Sequence, residues 1–261
     1  MNTTVTQKDL VPGDVRGDRG VRTPAPVSRA WALAGLLAGA TGFTSMIVSG
    51  SMSIPYDQGA VSAEKIQADV SAMGTQIVVF HVATALTAVL LVPFALGLFR
   101  RIRSAASADS LAPGVAAAGL LILSGVLILG SGLDTEFLFG GDSLVAENVA
   151  MYSHWVATIS WLWTTAGITG LALFAAGRQG GVPRWIGLVG LVLGGLTVGL
   201  GVSPLEYMAG MTGPVWLIVT ALGFANHVKH ALVGGTQRKR VLGDHGQVFI
   251  KTEVFLKGKR T

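Results

Sequence analysis

Six stretches of the chain stay apolar over about twenty residues: 30–53, 76–99, 112–133, 153–177, 184–203 and 208–228. A helix rises about 1.5 Å per residue, so roughly 20 helical residues cross the ~30 Å hydrocarbon layer of a bilayer. The pattern predicts an all-α, polytopic integral membrane protein of six transmembrane helices. Two connecting segments carry apolar positions of their own. In 62–73, Ser62 can cap a short helix whose Ile66, Val70 and Met73 recur at i, i+4 and i+7, one face suited to the membrane or the bundle. Phe137, Leu138 and Phe139 precede a Gly-Gly break, after which Ser143 can cap a turn leading into the fourth span. Both segments read as lids packed over one end of the bundle, or as ordinary loops that bury a few apolar side chains.

Charge orients the spans, because basic residues beside short loops stay in the cytoplasm. With the N-terminus inside, eighteen of the nineteen basic residues are cytoplasmic, among them Arg100, Arg101, Arg103, Arg178 and Arg184, and Lys65 alone is outside. Asp57, Glu64, Asp69, Asp134, Glu136, Asp142, Glu147 and Glu206 fall on the outer side. The expected topology has both termini inside, in the inner membrane of a bacterial cell. Trp31 and Trp185 then mark inner interfaces, and Tyr152, Trp155 and Tyr207 outer ones.

Composition agrees with the pattern: 51% of residues are hydrophobic and 13% charged, against roughly 25% charged in soluble domains. The net charge of +5 is not gathered on one soluble face, so a nucleic-acid partner is not expected. Residues 1–29 lack the apolar core of a signal peptide and read as a disordered cytoplasmic tail. From 231 the chain reads as a basic tail, with Gly234-Gly235 ending the last helix and a possible strand at Val248 to Leu256. Five of the seven lysines lie in 229–261, which suits contact with anionic lipid headgroups. The absence of cysteine excludes disulfides, zinc-thiolate sites and thiol catalysis.

Small residues recur at helical spacing in the first span (Gly35, Ala38, Gly42, Ser45, Ser49) and the fifth (Gly187, Gly190, Gly194, Gly201, with Gly195 and Gly199 offset). Such rows let helices approach closely, which predicts a tightly packed, glycine-rich bundle. The fourth span carries a polar row, His154, Thr158, Trp161, Thr165 and Thr169, beside a small row, Ser153, Ala157, Ser160, Thr164 and Gly167. Both rows should face protein or water, leaving Ile159, Leu162 and Trp163 to face lipid. Pro93 is expected to kink the second span, and Pro214 either kinks a sixth helix starting near Tyr207 or sits in the first turn of one capped by Thr212. His227 and His230 form an H-x-x-H around Lys229 that reads as a snorkelling helix end.

No nucleotide loop, nucleophile elbow or H-E-x-x-H motif occurs. The candidate binding residues are therefore His81, Asp134, Glu136, His154, Thr158, Trp161 and Glu206. Counting back from Arg100 and Arg178 at about 1.5 Å per residue places His81 about 28 Å and His154 about 36 Å from the inner boundary. Asp134 and Glu136 should end the third span and Glu206 follow the fifth, so five of these side chains share one outer layer and could converge on a proton or cation site. No cofactor or metal follows from these residues.

The Arg100-Arg101-Ile102-Arg103 run after the second span and the Gly-Val-Pro-Arg-Trp-Ile-Gly-Leu-Val-Gly opening of the fifth, Gly181 to Gly190, resemble an uncharacterised six-helix bacterial membrane family known only as a domain of unknown function. The likeness spans about residues 28–230 and implies a fold without functional residues. Three functional readings follow from the residues themselves. The foremost is a carrier or receptor for a small or lipid-like molecule entering from the outer face. The others are an accessory or assembly subunit, joined to a partner membrane subunit or to copies of itself, and a metal-dependent intramembrane enzyme. Reporters fused after Arg103, Arg178 and Gly235 should be cytoplasmic, and those after Asp69, Asp142 and Glu206 exported; one reversed pair would break the six-span topology.

Overall fold

Hydrocarbon offers the backbone no water to bond, so a spanning segment must close its hydrogen bonds internally, which a helix does. The computed structural model describes residues 29–52, 61–140 and 143–244, without the side chains of Tyr152 and of 227–244. Its helices are α1 (Ala30–Ser51), α2 (Ala63–Ala72), α3 (Gly74–Arg103), α4 (Ala112–Gly140), α5 (Ala146–Arg178), α6 (Arg184–Gly201) and α7 (Ala209–Asp244). All but α2 are long and apolar enough to cross a membrane, the last over Glu206–Asn226. No strand occurs among the described residues.

The chain winds into a closed ring. α1 packs between α3 and α7, α4 lies on α3, α5 lies on α4, and α7 returns to meet α1, α5 and α6. Near the middle stands Trp163 of α5, fully buried, in a slot between α1 and α7. A methyl on Gly42 would approach its ring to 2.7 Å, and one on Gly213 to 2.6 Å. At the arginine-bearing end Trp31 stacks on Phe94 at 5.7 Å and meets Phe224 at 5.2 Å, filling the space that Gly35 and Gly97 leave open.

Hydroxyls tie neighbouring helices where apolar burial alone gives no driving force. Thr41 and Thr87 lie 2.8 Å apart and Ser45 and Thr84 2.7 Å, joining α1 to α3. Ser124 donates to the Ala88 carbonyl at 2.7 Å, Thr169 to Ala116 at 2.9 Å and Thr197 to the Thr212 hydroxyl at 2.9 Å. Each such bond is worth ~0.6–2 kcal/mol in a membrane. Between α5 and α6 the backbones nearly touch: a Cβ on Gly194 would lie 2.8 Å from the Gly170 Cα, and Gly190 abuts the Gly170 carbonyl. Gly201 abuts Thr164, while Gly195 meets only Leu171 and Gly199 meets nothing. The contact coincides with a π-helical stretch in α6, Gly190–Gly194. Gly180, at φ 78°, makes the left-handed turn after α5.

Several boundaries differ from the sequence expectation. α4 runs on to Gly140, so Asp134, Glu136 and Phe137 to Phe139 are inside the helix rather than beyond its end. α5 starts at Ala146 and is not capped by Ser143, whose hydroxyl turns back to the Gly140 carbonyl and caps α4 instead. Thr212 caps nothing; a short 3-10 turn, Glu206–Met208, starts the last helix, and Pro214 lies within it. Gly234 and Gly235 do not end α7, which continues to Asp244, since a helical glycine costs only ~1 kcal/mol against alanine. Ile159 and Trp163 point inward, at 5% and 0% exposure. The reason is local: α5 tightens to a 3-10 turn over Ile159–Leu162. Four residues at about 120° rather than about 100° each rotate its two halves by roughly 80°, so no single helical period describes both. The expected disordered tail over 1–28, the strand at 248–256, Asp57, Asp142 and the His227 and His230 side chains lie outside the described residues.

Replacing Gly194 with leucine should push α6 off α5 and destabilise the protein by ~1–3 kcal/mol or more. Gly125→Leu, at a glycine with no neighbour within 4 Å, should leave stability unchanged or raise it by up to ~1 kcal/mol. Thermal melting of the two purified variants in one detergent checks this, and equal melting would refute the packing assigned to Gly194.

Candidate functional site

The end of α1, the start of α3, the end of α4 and the starts of α5 and α7 all lie at the end of the ring opposite Arg100, Arg178 and Arg184. They enclose a cavity of about 390 Å³. That lies within the roughly 300–1,000 Å³ usual for ligand pockets. The side chains at this level of α5 are small, Ser153, Ala157 and Ser160, and Gly50 of α1 stands among the walls.

α2 completes the enclosure. Ser62 accepts the Lys65 N–H at 3.3 Å as its N-cap. Backbone donors at this helix start, with the Ser62 hydroxyl, hold the Glu64 carboxyl below its usual range. Ile66 and Val70 are buried against Ile77, Val149 and partly buried Phe137, Leu138 and Leu144, so the short apolar face lies on the bundle. Gln67 fastens it by donating to the Leu144 carbonyl at 2.8 Å. Val70 and Met73 then join the cavity wall.

Five methionines line the space, Met46, Met52, Met73, Met208 and Met211, with the rings of Phe80, Phe137 and Tyr207. Unbranched, polarizable thioethers suit a wall that adapts to varied apolar shapes. Asp134 is the one acidic or basic side chain among the lining residues. It is 1% exposed, and its Oδ2 has no hydrogen-bond partner.

Of the candidates read from the sequence, Asp134 alone borders the cavity. His81, half-buried, has Nδ1 2.9 Å from the Ser131 carbonyl and 3.0 Å from its hydroxyl. Ser131 stands one turn before Asp134 on α4, so the imidazole is bound to the flank of the same helix face. Glu136 and His154 are exposed and Glu206 is half-exposed. Thr158 returns its hydroxyl to the Trp155 carbonyl at 2.7 Å. Trp161 packs edge-on to Tyr207 at 5.8 Å, behind the cavity wall, with its indole N–H unpartnered. The small row of the fourth span borders the cavity through Ser153, Ala157 and Ser160, and the polar row does not. Among the described residues no three histidine or acidic side chains form a group able to hold a metal ion.

The sequence reasoning passed over the methionines. Their signal is positional: apart from Met1, every methionine falls at or near the end of a span away from the arginines, or beside it. No family model matches the chain, and no curated protein or solved structure matches it.

Gln67→Ala should loosen α2, at a cost of ~0.5–1.5 kcal/mol for the lost bond. Hydrogen exchange over Ala63–Ala72 should accelerate while α3 and α4 keep their protection; unchanged exchange there would show that the bond does not hold the cap.

Proposed function

We propose that the protein is a binding module, a carrier or receptor, for a small, lipid-like molecule. In this reading it spans a bacterial membrane with both termini inside and takes up its ligand at the outer end. The cavity carries the reading, for its walls are mostly apolar and adaptable and hold one buried carboxyl that could orient a ligand. The charge pattern of the loops supports the orientation, since the cavity lies at the end away from the arginines. Large apolar side chains such as Leu37, Val89, Ile128 and Val192 are more than half exposed on the ring's outside, as a lipid-facing surface requires. A glycine-rich helix face and a basic C-terminal segment are compatible with contacts to a second subunit and to anionic lipid.

Melting of the purified protein across a panel of lipids and metabolites tests the reading. A ligand at about 100 times its Kd adds ~2.7 kcal/mol, so at least one compound should raise the melting temperature of the wild type. Ala157→Trp fills the cavity and should abolish that shift. A wild type indifferent to the whole panel would defeat the proposal.

A further inference from the structure

We propose that the cavity takes an organic cation, an amphipathic amine or quaternary ammonium whose charged head meets Asp134 and whose apolar body fills the methionine-lined space. This deepens the binding-module reading and rests on it. Asp134 is buried within α4 and presents Oδ2 without a partner in the protein. Among the described residues no lysine, arginine or histidine lines the cavity. His81, bound to Ser131 one turn away, turns Nδ1 to α4 rather than to the carboxyl. Any positive charge to pair with Asp134 therefore has to arrive with the ligand.

The rest of the wall favours the same class. The faces of Phe80, Phe137 and Tyr207 are negative and attract cations, most strongly where water is excluded. Five thioethers add polarizable, uncharged surface that bonds no anion. A fatty acid or a phosphate headgroup would bring an anion into a wall whose described residues include no cationic side chain to meet it. A wholly apolar ligand would fill the volume and leave the carboxyl oxygen as unmet as before.

The test compares two probes of one shape: benzyltrimethylammonium and neopentylbenzene, in which carbon replaces the nitrogen. Binding is measured by calorimetry on the full chain in a neutral detergent. The cation should bind the wild type at least tenfold tighter than the neutral probe. Asp134→Asn and Asp134→Leu should bring the two within about twofold of each other without weakening the neutral probe. Both variants remove an unpaired buried carboxyl, and melting without probe checks that each is folded. Equal affinities in the wild type, or a preference that survives in a folded variant, would overturn the cation inference and leave the binding module standing. Failure of both probes to bind the wild type would overturn the cation inference alone, the binding-module reading being decided by the lipid and metabolite panel.

Discussion

The indole of Trp163 sits between Gly42 of α1 and Gly213 of α7, and the dense packing at the centre of the ring rests on that fit. α1 and α7 come from opposite ends of the sequence; they touch directly, Gly39 against Ile218 and Pro214, and a large, flat side chain reaching from α5 packs against both. Where lipid is as apolar as leucine, the gain comes from dense contact and not from escaping water. A side chain at either glycine would collide with the indole and push α5 away from the first helix or the last. The hydroxyl bonds of Ser45, Ser124 and Thr169 fix neighbouring helices pair by pair. The tryptophan joins helices distant in the chain.

The same packing explains why the two ends of the molecule differ. At the arginine-bearing end Trp31, Phe94 and Phe224 fill the interior. At the other end α5 presents Ser153, Ala157 and Ser160, too small to reach across the ring. The space is bounded instead by methionines from the end of α1, the junction of α2 and α3, and the start of α7, with Val70 of α2 at its edge. A cavity thus follows from a change of side-chain size along α5, with no break in the helix ring. The 3-10 turn at Ile159–Leu162 marks the level at which α5 passes from lining the cavity to filling the core.

The six apolar helices were legible because length and composition alone define them. The α2 cap was legible too, since Ser62, Ile66 and Val70 follow a local rule that the tertiary structure respects. What failed was the reading of α5 that carried one helical period through its 3-10 turn. Ile159 and Trp163 were assigned to the lipid face because the tightened turn between the halves of α5 leaves no mark in the residue types. The glycines of α6 show the converse: Gly187, Gly190, Gly194 and Gly201 all face α5 even though a π stretch interrupts them. At the candidate site, depth was legible and direction was not. Asp134, Glu136, His154 and Glu206 belong to elements that end at the same level, yet only Asp134 turns inward to the cavity. The methionines escaped notice because each, taken singly, is an ordinary core residue.

Their concentration makes the site unusually easy to observe. The chain holds seven methionines, and five border one cavity. Isotope placed on the methyl of methionine would label that cavity and little else in a 27.0 kDa protein. A terminal methyl on a flexible side chain reports both its surroundings and its freedom to turn. The interior of this cavity, so hard to isolate among the aliphatic signals of a helical membrane protein, therefore carries its own sparse set of resonances.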